Sequence, residues 1–168
     1  MSSESDEKSW RSWLSLHGPA LLLLARQHCR SREDAQDAVQ DGFVRFWKSR
    51  EIASDVTGYL FACVRSAAMD VARGQSRRLR REAAAPGAIE MTELFDAGER
   101  EELRDAVEAA LATLPAEQRE VLVLKIWSEL TFSQIAGLLA IKPDTAASRY
   151  RYALSRLHGA LRQEAAHE

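Results

Sequence analysis

The sequence has 168 residues, of which 46% are hydrophobic and 29% charged, and 23 basic side chains nearly balance 25 acidic ones for a net charge of -2. This apolar content predicts a folded chain, and the length fits one ordinary domain or two small ones. The near-neutral charge excludes a histone-like polycation, and eight Gly and four Pro exclude a collagen-like chain.

The amino-terminal part of the sequence lacks the pattern of a secretion signal or a membrane anchor. Residues 1–9 are polar and mixed in charge, unlike the basic, then apolar, then small-residue order of a signal peptide. The longest apolar run, from Ala20 to Ala25, is far shorter than the roughly 20 residues that a membrane span requires. We therefore expect a cytoplasmic protein without a membrane span.

The first helix that local signals define begins near Ser31 and ends at about Trp47, because a hydroxyl followed by early acids favours a helix start. Its core side is predicted to contain Ala35, Val39, Gly42, Phe43 and Phe46. Asp37 and Asp41 lie one turn apart on the opposite side and repel each other mildly. That side is either a solvated surface or a docking surface for a basic partner.

Residues 48–58 are rich in Ser, Asp, Thr and Gly, which predicts a loop, and a second helix follows it. Six arginines oppose one acid between residues 65 and 81, a local charge of +5. This segment is either a phosphate-binding surface or a solvated helix. Tyr59 and Phe61 are likewise either stacking partners for unpaired bases or core residues.

The two cysteines, Cys29 and Cys63, lie in apolar, helix-like contexts and match no zinc motif. A site built from His28, Cys29 and Cys63 remains the alternative, but two adjacent ligands and one distant one suit tetrahedral zinc poorly. We expect both thiols to be buried, and we predict no metal and no cofactor.

A break in the helical pattern is predicted near Pro86 and Gly87, since a Pro-Gly pair among small residues ends a helix. Nine acids oppose two arginines between residues 82 and 108, a local charge of -7, whereas residues 142–162 carry +4. We therefore predict an all-α chain with a helical domain over residues 1–81, a flexible acidic linker over 82–100 and a second helical domain over 101–168.

The second domain contains the pattern of a helix-turn-helix. Thr131 and Gln134 fit a capping box that begins a short helix ending near Leu139. A short turn leads to Pro143, which suits the first position of the next helix, and a turn at Pro115 interrupts the apolar helix before them. In this layout the last helix commonly enters the major groove of DNA.

That last helix has two chemically different sides. The predicted buried stripe consists of Ala146, Tyr150, Ala153, Leu157 and Leu161. Because the start of a recognition helix reaches base edges and arginine can bond guanine twice, we predict base contacts by Thr145, Ser148 and Arg149. The candidates for contact with the phosphate backbone are Arg151, Tyr152 and Arg156. An ordinary helical hairpin with a solvated side is the alternative.

Two segments share motifs with one protein family. Residues 37–47, DAVQDGFVRFW, are similar to the pattern D-x-x-Q-E-x-F-x-x-x-W. A helix-turn-helix domain follows this pattern in the same family, and similarity to it is found at Leu114-Pro115, residues 119–122, Ile135-Ala136 and residues 145–149. In this order and separation they resemble the bacterial RNA polymerase sigma factors of the sigma-70 family, extracytoplasmic-function group. The resemblance covers about residues 21–161.

The resemblance implies a protein that is not an enzyme but gives core RNA polymerase promoter recognition and melting. Its implied partners are the β′ clamp helices and the β subunit of the polymerase, promoter DNA and an anti-sigma factor. The implied polymerase contacts are Asp37, Gln40, Asp41, Val44 and Trp47. The implied contacts to the minus-ten element are Tyr59, Ser66 and Asp70, and the arginine cluster after them adds Arg73, Arg77 and Arg78 as candidates. The helix from Pro143 is expected to read the minus-thirty-five element.

The sequence departs from the family pattern at several of these positions. Tyr59 stands where Trp is usual, Ser66 where Asn is usual, Asp144 where Gly is usual and Ala147 where Lys or Arg is usual. A promoter sequence therefore cannot be carried over. One alternative function is a two-domain helix-turn-helix regulator that acts without polymerase, which has no need of the acidic side of the first helix. Another is a helical adaptor whose arginines bind protein.

Overall fold

The structure of the protein is a computed structural model, and it describes residues 3–74 and 101–165. Both ranges consist of helices joined by turns, without a strand in either, which confirms the all-α prediction. The chain divides into two compact units, one holding residues 3–74 and the other residues 101–165. The predicted acidic linker, residues 82–100, lies outside the described residues.

Within residues 3–74, the first unit contains three α-helices, α1 (Ser3–Arg26), α2 (Arg32–Ser49) and α3 (Val56–Ala72). Helix α2 begins where the sequence predicts, because the backbone N–H of Asp34 donates to Ser31 Oγ at 3.0 Å. The capping hydroxyl satisfies one of the free N–H groups at the helix start.

The prediction of a loop over residues 48–58 is wrong for most of its length. Helix α2 continues to Ser49, a 3₁₀ turn follows over Arg50–Ile52, and α3 already begins at Val56. The carboxylate of Asp55 accepts from the N–H of Gly58 at 2.9 Å and so caps α3. Ser, Asp and Thr are common in loops and at helix caps alike, which is why composition alone misplaced this boundary.

The core of the first unit forms where α2 packs against α1 and α3. Phe46 and Phe61 are fully buried there, so Phe61 is a core residue and not a stacking partner for bases. Phe43, predicted in the core, is only half-buried. At Gly42 an added Cβ would lie 2.4 Å from the Cα of Val64, so α2 and α3 can approach this closely only with glycine at that position.

Both cysteines are free thiols and are buried, as predicted. The Cys29 thiol donates to the carbonyl of Ala68 at 3.9 Å. Burial, aided by the Asp34 carboxylate, raises the pKa of Cys29 to about 11, which keeps this thiol protonated and unreactive at neutral pH. Within residues 3–74 and 101–165, no group of His, Cys, Asp and Glu side chains is arranged to hold a metal ion.

The described part of the second unit, residues 101–165, contains four helices, α4 (Glu101–Ala112), α5 (Ala116–Trp127), α6 (Phe132–Leu139) and α7 (Pro143–Ala165). The capping box is present in full, since Gln134 N–H donates to Thr131 Oγ1 at 3.1 Å and Thr131 N–H donates to Gln134 Oε1 at 2.8 Å. Ala140 adopts a left-handed conformation, with φ of 54°, and ends α6. The predicted helix-turn-helix is therefore confirmed as α6, a tight turn and α7.

Helices α5 and α6 both pack against α7. Ala146 and Ala153 of the predicted stripe are fully buried, whereas Tyr150 and Leu157 are half-buried, and the side chain of Leu161 lies outside the described residues. Ile126, an apolar residue near the end of α5, is 44% exposed. None of the helices in the described ranges is long and apolar enough to cross a membrane.

Candidate polymerase and nucleic-acid interfaces

The five residues implied in polymerase binding lie along one side of α2, opposite the buried Ala35 and Val39. All five are half-buried: Asp37, Gln40, Asp41, Val44 and Trp47. We call this set the docking stripe.

The apolar part of the docking stripe lies at the end of α2. There the guanidinium of Arg50 lies 3.7 Å from the centre of the Trp47 ring and also donates to the Trp47 carbonyl. A cation over an indole face is attractive and holds the ring in place.

One arginine of α2 connects the docking stripe to α3. Arg45 Nη1 lies 2.8 Å from Asp70 Oδ2 and donates to Ser66 Oγ at 3.3 Å, while Arg45 Nη2 lies 3.8 Å from Asp41. Arg73 adds a second contact to Asp70, at 2.6 Å. Three side chains implied in minus-ten recognition, Ser66, Asp70 and Arg73, are therefore brought together by contacts within the protein.

The electrostatics of this cluster favour an ionised Asp70. Partial burial disfavours the charge on its carboxyl group, but hydrogen bonds and attraction from Arg45 and Arg73 outweigh that effect and lower its pKa below the usual value. Sequence reasoning did not identify Arg45 as a member of this site. The only sequence signal was its i,i+4 spacing from Asp41, which says nothing about α3.

The other residues implied in minus-ten recognition are placed less uniformly. Tyr59 is half-buried, with its ring centre 6.0 Å from that of Phe46. Arg77 and Arg78 lie outside the described residues. On the 3₁₀ turn before α3, the apolar side chain of Ile52 is 87% exposed. Sequence reasoning missed Ile52 because it treated this segment as a polar loop.

The polar side of α7 carries all six residues predicted to contact the minus-thirty-five element. Thr145, Ser148 and Arg149 are half-buried, and Arg151, Tyr152 and Arg156 are exposed. The hydroxyl of Ser148 donates to the Asp144 carbonyl at 2.8 Å and accepts from Arg151 Nη2 at 3.3 Å. Ser148 is thus partly engaged within its own helix.

Arg149, the strongest base-reading candidate, forms an ion pair with a residue that the sequence did not single out. Its Nη2 lies 2.8 Å from Oε2 of Glu117, in the first turn of α5. No local pattern links these two positions, because the contact depends on how α5 packs against α7.

Comparisons with known proteins place these two units in one family. Residues 13–78 match the family model described as sigma-70 region 2, and residues 104–157 match the one described as sigma-70 region 4. The extracytoplasmic-function RNA polymerase sigma factor SigM of Mycobacterium tuberculosis, in strains Erdman and H37Rv, is 31% identical over 147 residues, which is 84% of this chain and 71% of the relative. The chain belongs to the sigma-70 family, in its extracytoplasmic-function group.

The fold of this sigma factor is also similar to a solved structure, that of the sigma factor RpoE from Bartonella quintana in complex with the anti-sigma factor NepR. The two share 23% identity and a TM-score of 0.63, over 92% of this chain and 98% of that one. The region 2 match contains the docking stripe and α3, and the region 4 match begins within α4, contains α5 and α6, and ends within α7. Sigma factors are non-catalytic transcription initiation factors.

Proposed function

We propose that this sigma factor binds core RNA polymerase through the docking stripe of α2 and directs promoter recognition, DNA melting and transcription initiation in the cytoplasm. The observation that carries the proposal is the presence in one chain of two compact units, one with an acidic and apolar stripe on α2 and the other with a capped helix-turn-helix. A regulator that binds duplex DNA by itself needs only the second of these.

In region 4, we propose that α7 enters the major groove of the minus-thirty-five element. The amino-terminal half of α7 carries Thr145, Ser148 and Arg149, where a recognition helix presents its base-reading side chains. Arg151, Tyr152 and Arg156 are exposed and suited to hold the helix on the phosphate backbone. The hydroxyl and guanidinium groups on this side match the donors and acceptors of base edges.

In region 2, we propose that α3 and the turn before it bind the non-template strand of the minus-ten element after melting. Extruding a base from the stack costs a few kcal/mol, which stacking and hydrogen bonds in a pocket must offset. Ile52 and Tyr59 offer apolar and aromatic surface for such a base, and Arg73 offers a cation for the backbone. Contacts of Arg77 and Arg78 with the same strand stay predictions.

We also propose an anti-sigma factor as a partner of the free protein. The support is the likeness of its fold to the Bartonella quintana sigma factor, which was solved in complex with NepR. The proposed partners are thus core polymerase, through the β′ clamp helices and the β subunit, promoter DNA and an anti-sigma factor.

Run-off transcription with core polymerase on genomic DNA of the source bacterium tests the function. We expect discrete transcript starts that require the protein and are absent with core polymerase alone. The same samples are applied to a pull-down with core polymerase. No specific transcripts together with no core binding would overturn the proposal, and sequence-selective binding to duplex DNA without core binding would favour the free-standing regulator.

A further inference from the structure

The ion pair between Glu117 and Arg149 has an unusual location for a surface contact. Glu117 is 72% exposed at the start of α5, whereas the Arg149 side chain is only 25% exposed on α7. The carboxylate therefore holds a partly buried guanidinium on the side of α7 that is proposed to face DNA. The two residues are 32 positions apart, so this contact is a tertiary one.

The pair leaves Arg149 able to read a base. A guanidinium has five N–H donors, and the contact with Glu117 is made at Nη2, which itself carries two hydrogens. A bidentate contact to O6 and N7 of guanine requires two donors. Arg149 can thus bond Glu117 and guanine at the same time, and a side chain already fixed in one conformation loses less rotamer entropy on binding.

The negative charge of Glu117 has a second effect. An arginine that moves freely near DNA can pair with any phosphate, a contact that carries no sequence information. A carboxylate at the same place restrains that movement, and it also repels phosphates directly. Both effects lower sequence-independent affinity and leave the base contact in place.

We propose that Glu117 is a positioning residue that holds Arg149 for base readout and so sets the selectivity of the sigma factor at one base pair of the minus-thirty-five element. This inference rests on the proposed function, since it assumes that α7 reads duplex DNA. It assigns to region 4 a specificity-determining residue outside the helix-turn-helix itself.

The test uses the full chain assembled with core polymerase and a library of promoter duplexes in which the upstream element is randomised. Bound duplexes are sequenced for wild type, Glu117→Gln and the control Asp144→Asn. Asp144 is an exposed acid in the first turn of α7, so the control removes an equal charge close to the same side and leaves the Glu117–Arg149 pair intact.

We expect Glu117→Gln to reduce the base preference at one position by roughly five- to tenfold, within the range that one bidentate contact supplies. Its binding to non-promoter duplex should rise, with a salt dependence steeper by about one unit of slope. Asp144→Asn should raise non-promoter binding but keep the base preference. Because each preference is a ratio within one sample, a smaller folded fraction does not alter it.

If the wild-type protein selects a sequence, three outcomes would overturn the inference. The first is a Glu117→Gln variant with unchanged base preference and unchanged affinity, and the second is a Glu117→Gln variant that binds all sequences more tightly but keeps the preference. The third is loss of the same preference in Asp144→Asn. The second would show that Glu117 only masks Arg149, and the third would assign the effect to charge alone. Failure of wild type to select any sequence would instead overturn the proposed function, and this inference with it.

Discussion

The guanidinium of Arg45 and the carboxylate of Asp70 lie 2.8 Å apart, so one ion pair joins helix α2 to helix α3. Asp41 of the docking stripe contacts the same arginine at 3.8 Å, and Ser66 accepts a hydrogen bond from it at 3.3 Å. Arg45 therefore contacts residues of both surfaces, the one proposed for polymerase and the one proposed for the minus-ten strand. Through its ion pairs with Arg45 and Arg73, Asp70 is expected to stabilise the packing of α2 against α3, in addition to any contact that it makes with DNA.

The first prediction concerns how the contribution of Asp70 to the stability of the fold depends on pH. Since Arg45 and Arg73 lower the pKa of Asp70, the ionised form stabilises the fold above the unfolded-state pKa of about 3.9, and this stabilisation is lost as the pH falls through the lower folded-state pKa. Asp70→Asn should reduce the free energy of unfolding by about 1 kcal/mol at pH 7. Urea titrations should show the difference shrinking as the pH is lowered below about 4.

Glu51→Gln is the matched control for Asp70→Asn. Glu51 is exposed, and its carboxylate lies 4.0 Å from Arg50, so the pair is weak and its loss should change stability by at most a few tenths of a kcal/mol. A stability loss in Asp70→Asn that is the same at pH 7 and pH 3 would show that packing, and not the charge of Asp70, stabilises region 2.

The second prediction concerns the close approach of α2 and α3. In Gly42→Ala the new methyl group would meet the backbone and side chain of Val64 at 2.4 to 2.7 Å, so the helices must separate. We expect a loss of about 1 to 3 kcal/mol in the free energy of unfolding. Gly137→Ala is the control, because an added Cβ there meets nothing within 4 Å apart from its chain neighbours and the backbone of its own helix, and alanine favours a helix by up to about 1 kcal/mol. Equal effects in thermal unfolding would refute the argument.

Local sequence signals were sufficient wherever a residue acts on its immediate neighbours. Ser31 and Thr131 start α2 and α6, and Pro143 starts α7, as predicted. Each of these signals has its physical cause within three or four residues of the chain, either in a capped N–H group or in the fixed φ of proline. Apolar periodicity likewise placed Val39 and Ala153 in the core.

Ion pairs between helices, in contrast, cannot be predicted from local sequence patterns. Arg45 and Asp70 are 25 positions apart, Glu117 and Arg149 are 32 apart, and neither pair follows from the periodicity of its own helices. Each depends on the crossing geometry and on a choice among many rotamers of a long side chain. Sequence reasoning therefore named Asp70 and Arg149 as candidate DNA contacts but missed their ion-pair partners, Arg45 and Glu117.

The third prediction concerns polymerase docking. Asp41→Arg places a cation in the docking stripe, where we propose a basic partner, and like-charge contacts across an interface cost several kcal/mol. Affinity for core polymerase should fall by at least about tenfold, whereas binding of the free protein to duplex DNA should not fall. Glu51→Arg makes the same charge change two residues beyond the end of α2 and should retain core affinity. Equal losses of core and DNA binding in Asp41→Arg would count against the docking stripe.

The fourth prediction separates base reading from phosphate contact on α7. Arg149→Ala should weaken promoter binding by about 1 to 3 kcal/mol and relax selection at one position, because a bidentate contact to guanine is lost. Arg151→Ala, on the exposed side two residues away, should weaken binding to all sequences alike and reduce the salt slope by about one. Binding of both variants is measured with core polymerase on matched and single-substituted promoter duplexes over a range of salt. Uniform weakening by Arg149→Ala would make Arg149 a phosphate contact, and its pairing with Glu117 would then have no role in selectivity.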